Sequence, residues 1–149
     1  MNANVLHASG YCWNGTTYLM AYLKSTDGGQ HWAYKTLTSG YGFGYAVAVE
    51  ASNTQNIYVG GSVQDGTAYY GKLFKSTNGG MDFTEIGTSM TSMSGYIYDL
   101  ATDPQVSGRV YAGAGAGAYR STDGGNTWTR NTGYVPTPLQ FAFVPGAAN

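Results

Sequence analysis

Charge is scarce in this chain of 149 residues: only 10% are Asp, Glu, Lys or Arg, and the formal net charge is -1. Without a basic surface there is little to neutralise phosphates, which weighs against nucleic acid and against anionic lipid as partners. Cysteine is nearly absent. The single Cys12 cannot form an intramolecular disulfide, and with His7 and His31 as the only histidines no zinc-type ligand spacing exists. No metal and no cofactor are expected. No apolar run approaches the roughly 20 residues of a membrane span, and Met1 to Gly10 lacks the charged start and apolar centre of a signal peptide. The expectation is a soluble chain without a membrane segment. Its low charge, with 14 Tyr and 3 Trp, suits a secreted or extracellular protein, and Asn14-Gly15-Thr16 would be a glycosylation acceptor in a eukaryote.

Hydrophobic residues make up 42% of the chain and aromatics 15%, enough for a core. Short runs of Val, Ile, Tyr, Phe and Thr lie between Asp/Gly clusters, and no 3.6-residue period persists over ten residues. The fold class is therefore all-β. One pattern repeats three times: Ser25-Thr26-Asp27-Gly28-Gly29-Gln30-His31-Trp32, Ser76-Thr77-Asn78-Gly79-Gly80-Met81-Asp82-Phe83 and Ser121-Thr122-Asp123-Gly124-Gly125-Asn126-Thr127-Trp128. The copies stand 51 and 45 residues apart, so the chain is an array of one unit.

The middle unit reads as four strands, A to D: 45–50, 57–62, 70–76 and 83–86. The third repeats them at 96–102, 109–114, 118–121 and 127–130. Four antiparallel strands per repeat is the blade of a β-propeller. The first unit opens on a B-like strand at 5–9, continues at 18–25 and 32–36, and has no strand A; Leu139 to Val144 matches the A strands instead. The blades are accordingly 4–37 plus 138–145, 43–87 and 95–131, within one unit of 1–149. Three blades cannot surround an axis, since propellers have about four to eight. Two chains closing a six-bladed ring as a homodimer, with exchanged terminal strands, is one solution. A fragment of a larger propeller is the other.

Ser-x-Asp-x-Gly-x-x-Trp, at Ser25, Asp27, Gly29, Trp32 and at Ser121, Asp123, Gly125, Trp128, resembles the Asp-box of sialidases and related propellers. The middle copy, Ser76, Asn78, Gly80 and Phe83, departs from it twice. The text from Asp99-Leu100-Ala101-Thr102-Asp103-Pro104 through Val110-Tyr111-Ala112-Gly113 to Tyr119-Arg120-Ser121 is more similar to blades of family 74 xyloglucanases. The resemblance implies the fold; such blades also occur in sorting receptors and photosystem assembly factors. On physical grounds Asp27, Asn78 and Asp123 are structural staples, accepting backbone N–H groups at tight turns whose glycines supply positive φ.

If the C-to-D turns take one face, the D-to-A and B-to-C connections take the other, and loops on a rigid scaffold carry function. The expected loops are 37–44, 87–95, 131–138, 10–15 and 63–69. They bring Tyr11, Trp13, Tyr41, Phe43, Tyr69 and Tyr134, with Met90 and Met93, to that face. Aromatic rings beside Gly, Ser, Thr and Asn fit sugar recognition as well as general protein contact. Trp13, Tyr41, Phe43, Tyr69 and Tyr134 are the candidate ligand contacts. Aligning the A strands adds two more: Ala48, Ala101 and Ala142 coincide, as do Val47, Leu100 and Phe141, but Asp99 stands opposite Ala46 and Gln140.

Glycoside hydrolysis needs two carboxyl groups, about 5 Å apart for retention or about 6.5 to 9.5 Å for inversion. Asp65 and Asp99 are the only acids expected on the functional face. Family 74 xyloglucanases place their two catalytic Asp in two seven-bladed domains, more than this chain can contain. The sialidase signature Arg-Ile-Pro is absent, and Arg109, Arg120 and Arg130 fall on strands B, C and D. The expected function is a non-catalytic, polysaccharide- or glycan-binding propeller. A family 74-like half-enzyme and a protein-binding assembly module are the alternatives.

Overall fold

The computed structural model describes residues 4–88, 95–131 and 140–143. Ten strands run in order: β1 (Leu6–Trp13), β2 (Tyr18–Ser25), β3 (Ala33–Val49), β4 (Ile57–Asp65), β5 (Ala68–Ser76), β6 (Thr84–Ile86), β7 (Ile97–Thr102), β8 (Val110–Ala114), β9 (Gly117–Ser121) and β10 (Thr129–Arg130). All pairings are antiparallel between neighbours in sequence. One six-stranded sheet has the order β1 to β6 and a second is β10-β9-β8-β7. The described residues contain no helix. The architecture is that of propeller blades, as the alternation of short β-rich runs with Asp/Gly turns predicts.

The segment expected as a loop at 37–44 is strand instead. β3 is a single 17-residue strand that pairs with β2 through its first half and with β4 through its second, with one register shift in each ladder. The first two blades are thus joined by a strand that changes partner. Its glycines permit the crossing: a Cβ on Gly44 would lie 2.9 Å from the Gly10 nitrogen, and one on Gly42 would lie 2.9 Å from the Ser62 carbonyl oxygen. Likewise β1 runs on through Trp13, and the expected loop at 63–69 is the β4–β5 hairpin, closed by Gly66 and Thr67 beyond the Asp65 to Ala68 pair.

Packing between blades forms two apolar clusters. Met20, Tyr22, Ile57, Val59 and Phe74 fill the space between the first and second blades, with Val47 and Phe83 against them. Ala46, Ala48, Tyr58, Leu73, Ile97, Leu100, Val110, Ala112, Ala114 and Tyr119 fill that between the second and third. Small residues set the spacing. A Cβ on Gly60 would stand 2.6 Å from the Ile97 Cγ2, so β4 and β7 approach as closely as they do because Gly60 has no side chain. Ala46 and Ala48 are buried in the second cluster while Val47 and Val49 lie half-buried against the first, so the inner strand packs on both faces.

Residues 140–143, expected to lie in an A strand, form no strand in the single chain. They nevertheless lie against the third blade. The Phe141 N–H donates to Asp99 Oδ2, and the rings of Phe141 and Phe143 lie 6.0 and 5.7 Å from Tyr111. With a side chain instead of a neighbouring strand as its partner, this backbone has no ladder to join. Leu139, Val144 and Pro145 lie outside the described residues.

Candidate functional site

The three repeated turns form one face. In the first, Ser25 Oγ donates to Asp27 Oδ1 at 2.8 Å and accepts the Gly29 N–H at 2.9 Å, and Asp27 Oδ1 accepts the His31 N–H at 3.0 Å. The third repeats this through Ser121, Asp123, Gly125 and Thr127 at 2.8, 2.8 and 2.9 Å. The second does the same with Asn78 in place of Asp. Each second glycine holds a φ near +90°: 92° at Gly29, 88° at Gly80 and 91° at Gly125. Trp32 and Trp128 donate their indole N–H to the carbonyls of Gly29 and Gly125, a bond that Phe83 has no group to make. The carboxylates of Asp27 and Asp123 are held by backbone and side chains of their own turns, His31 and Ser25 for the first and Thr127 and Ser121 for the third. Their hydrogen bonds hold Asp27 and Asp123 down at about 2. These groups act on the fold and leave no acceptor set poised for a ligand.

The same face holds a carboxylate that the sequence places at the end of the second A strand without giving it a role. Glu50 is 2% exposed, at the A-to-B turn after β3. Its Oε1 accepts Ser52 Oγ at 2.9 Å, Ser107 Oγ at 2.6 Å and the Gly108 N–H at 3.0 Å; its Oε2 accepts Asn56 Nδ2 at 2.8 Å. Burial pushes its pKa up, but these hydrogen bonds outweigh it and hold the group at about 2. Asp103, at the corresponding turn of the third blade, accepts the N–H groups of Gln105 and Val106 and pairs with Arg109 at 3.0 Å.

The opposite face is aromatic. Trp13 lies 5.0 Å from Tyr18; Tyr11 lies 5.2 Å from Tyr18 and 4.9 Å from Phe43; Tyr41 lies 5.0 Å from Phe43. Phe43 continues to Tyr45 at 6.4 Å, Tyr45 to Tyr96 at 5.5 Å, and Tyr96 to Tyr69 and Tyr98 at 5.5 and 5.6 Å. Nine rings therefore form one unbroken series from the end of β1 to the start of β7. Four are well exposed: Tyr11 and Trp13 at 57%, Tyr45 at 45% and Tyr18 at 39%. Neither Lys nor Arg belongs to the series. Burial raises the Tyr45 hydroxyl above its ordinary range, which keeps it protonated and able to donate.

Of the sequence-predicted contacts, Trp13, Tyr41, Phe43 and Tyr69 come together in this series, on strands and strand ends rather than on loops. Tyr18, Tyr45, Tyr96 and Tyr98 were not singled out. The spacing of Tyr41, Phe43 and Tyr45, and of Tyr96 and Tyr98, is the strand period that places side chains on one face, so the signal was there to read. Tyr134, Met90 and Met93 lie outside the described residues. Asp99 is not part of the series; its carboxylate holds the Phe141 N–H, and Gln140 is exposed beside it. Asp65 stands exposed at the tip of the β4–β5 hairpin, paired across it with Ala68. Among the described residues no cluster of His, Cys, Asp and Glu could hold a metal ion, and no helix is long and apolar enough to cross a membrane.

No family model and no curated protein matches the sequence. Solved structures do. The structure described as YCF48 bound to D1 peptide is similar over 87% of this chain and 40% of its own, with a TM-score of 0.57 and 15% identity. The GH74 enzyme of Niastella koreensis is 30% identical over 63% of this chain and 15% of its own, with a TM-score of 0.50. The GH74 xyloglucanase from Xanthomonas campestris matches 89% of this chain and 21% of its own at 17% identity, with a TM-score of 0.60. The chain thus spans between 15% and 40% of the length of these proteins. They are β-propellers, and the chain has their blade fold, with blades like those of the GH74 enzymes.

Proposed function

We propose that this chain binds a neutral polysaccharide along its aromatic face and performs no catalysis by itself. The observation that carries the reading is the unbroken series of nine rings, four of them exposed, in a chain with 10% charged residues. Sugar rings present flat C–H faces that stack on aromatic side chains, while their hydroxyls pair with phenol and backbone groups. A face without cations suits an uncharged glycan better than an acidic one. The exposed rings are spread along the series, from Tyr11 and Trp13 through Tyr18 to Tyr45, so a long chain can lie across several of them. The GH74 likeness supports a β-glucan such as xyloglucan as the first ligand to try. A secreted location fits this ligand.

Electrophoresis through gels containing xyloglucan tests the proposal. Retardation is expected, with about tenfold weaker binding in Trp13→Ala and Tyr18→Ala and no change in Trp32→Ala, whose ring is on the other face. Equal mobility in gels with and without polysaccharide would overturn it.

Two further readings rest on single observations. The structure of YCF48 with a peptide supports a protein partner that buries the same rings; a patch of interlocking, edge-to-face aromatics suits that as well. The 30% identity to a GH74 enzyme supports a hydrolase in which Asp99 or Asp65 acts. β-Glucan cleavage abolished by Asp99→Asn or Asp65→Asn would establish the latter.

A further inference from the structure

Each blade carries a cation on its C strand, directly before the serine of the repeated turn: Lys24, Lys75 and Arg120. In register, each is paired with a B-strand residue: His7 with Lys24, Tyr58 with Lys75, Tyr111 with Arg120. The first two cations do the same thing. Lys24 Nζ donates to the Gly79 carbonyl at 2.9 Å and Lys75 Nζ to the Gly124 carbonyl at 2.8 Å, so each reaches into the repeated turn of the following blade. The packing around them repeats too: a Cβ on Gly80 would meet Tyr22, and one on Gly125 would meet Ile86 and Tyr58.

Arg120 is the exception. It is exposed, has no hydrogen-bond or ionic partner among the described residues, and lines an open cavity of about 330 Å³ with Tyr111, Ala118 and Arg130. Ala118 stands where the first blade has Tyr22 and the second Leu73, which leaves room for an incoming turn. At the other end of the array no described residue packs on the 25–32 turn as the first and second blades pack on the turns at 76–83 and 121–128. Trp32 is 42% exposed, whereas Phe83 and Trp128 are partly buried against the clusters between blades. The Gly28 carbonyl, equivalent to those of Gly79 and Gly124, accepts no hydrogen bond from a described residue. A Cβ on Gly29 would meet only Leu6 and Trp32 of its own blade. Among the described residues β1 pairs with β2 alone and so leaves an edge, while Phe141 and Phe143 lie against β7 and β8 of the third blade.

The two uncovered ends are complementary, and we propose that each binds the other on a second copy of this chain. Arg120 of one copy donates to the Gly28 carbonyl of the next, as Lys24 and Lys75 do within the chain. Residues 140–143 then lie along the free edge of the second copy's β1. Two copies of three blades, joined head to tail at both ends, close a ring of six, within the usual propeller range, and remove the exposed edge. This stands independently of any ligand.

The test is the solution mass by light scattering across a tenfold dilution, with hydrogen exchange read over 25–32. Two-chain mass is expected for the natural sequence and for Arg120→Lys. Arg120→Glu, a change at an exposed position, should give single-chain mass with an unchanged circular dichroism spectrum. Amides of 25–32 should exchange at least about tenfold faster in Arg120→Glu, while those of 76–83, covered within the chain, should not change. A single-chain mass for the natural sequence, a mass growing beyond two copies, or a dimer indifferent to Arg120→Glu would overturn the proposal.

Discussion

Glu50 Oε1 accepts the Ser107 hydroxyl at 2.6 Å, tying the A-to-B turn of the second blade to that of the third. Glu50→Ala would leave Ser107 Oγ, the Gly108 N–H and Asn56 Nδ2 without the acceptor they now share. The expected cost is about 3 kcal/mol, since hydrogen bonds to a buried charge are among the stronger ones. Urea denaturation measures it directly. Glu50→Gln keeps the shape and part of the bonding, and should fall between natural protein and Glu50→Ala.

Acid should unfold this chain through a defined window. The carboxylates of Glu50, Asp27 and Asp123 titrate at about 2 in the fold against ordinary values of 4.5 and 3.8. A depressed folded pKa gives stability that is full above the unfolded value and is lost as pH falls through the folded one. Stability should therefore decline from about pH 4.5 to about pH 2. His7, whose burial beside Tyr22 and Lys24 lowers its pKa from 6.5, acts in the same direction and begins earlier. In Glu50→Gln the melting temperature should depend less on pH between 4.5 and 2; an unchanged slope would show that Glu50 is not one of the groups responsible.

Much of this was legible because the repeated turns punctuate the chain at fixed chemistry. Strands, their order in each blade, and the assignment of turns and aromatics to opposite faces all follow from those three runs. The continuity of β3 was not legible. Leu37 to Gly44 reads as a loop because it is rich in Gly, yet Gly42 and Gly44 are there to let one strand cross the backbones of β1 and β4. Glu50 was missed for a related reason: its partners Ser107 and Gly108 are nearly 60 residues away, and no local pattern announces them.

Ser121 is 1% exposed, and its hydroxyl serves both Asp123 and the Gly125 N–H. Ser121→Ala leaves that N–H buried without an acceptor and should cost about 2 kcal/mol. Asp123→Asn should be milder than Asp123→Ala, because Asn78 makes the equivalent bonds to Ser76 and Asp82 in the middle blade. Thermal melts of the three variants give the order; an Asp123→Asn protein as weak as Asp123→Ala would show that charge, not geometry, is what the turn needs.

Gly60→Ala tests the spacing of the blades. With its Cβ 2.6 Å from the Ile97 side chain, the substitution should destabilise by about 2 kcal/mol. Ile97→Leu in the same chain moves the branch off Cβ, so it removes the Cγ2 methyl that the new Cβ would strike, and should recover part of the loss. A double variant no better than the additive sum would place the strain elsewhere.

Calorimetric titration with β-1,4-glucan oligosaccharides of increasing length tests the central claim, polysaccharide binding along the aromatic face, most directly. The rings form a continuous series, so affinity should rise with each added sugar until the ligand spans the exposed rings from Trp13 through Tyr18 to Tyr45, then level off. Trp13→Ala should shorten that plateau. Absence of binding heat at every length, across neutral glycans of other linkages as well, would contradict the account and leave the aromatic face to a protein partner.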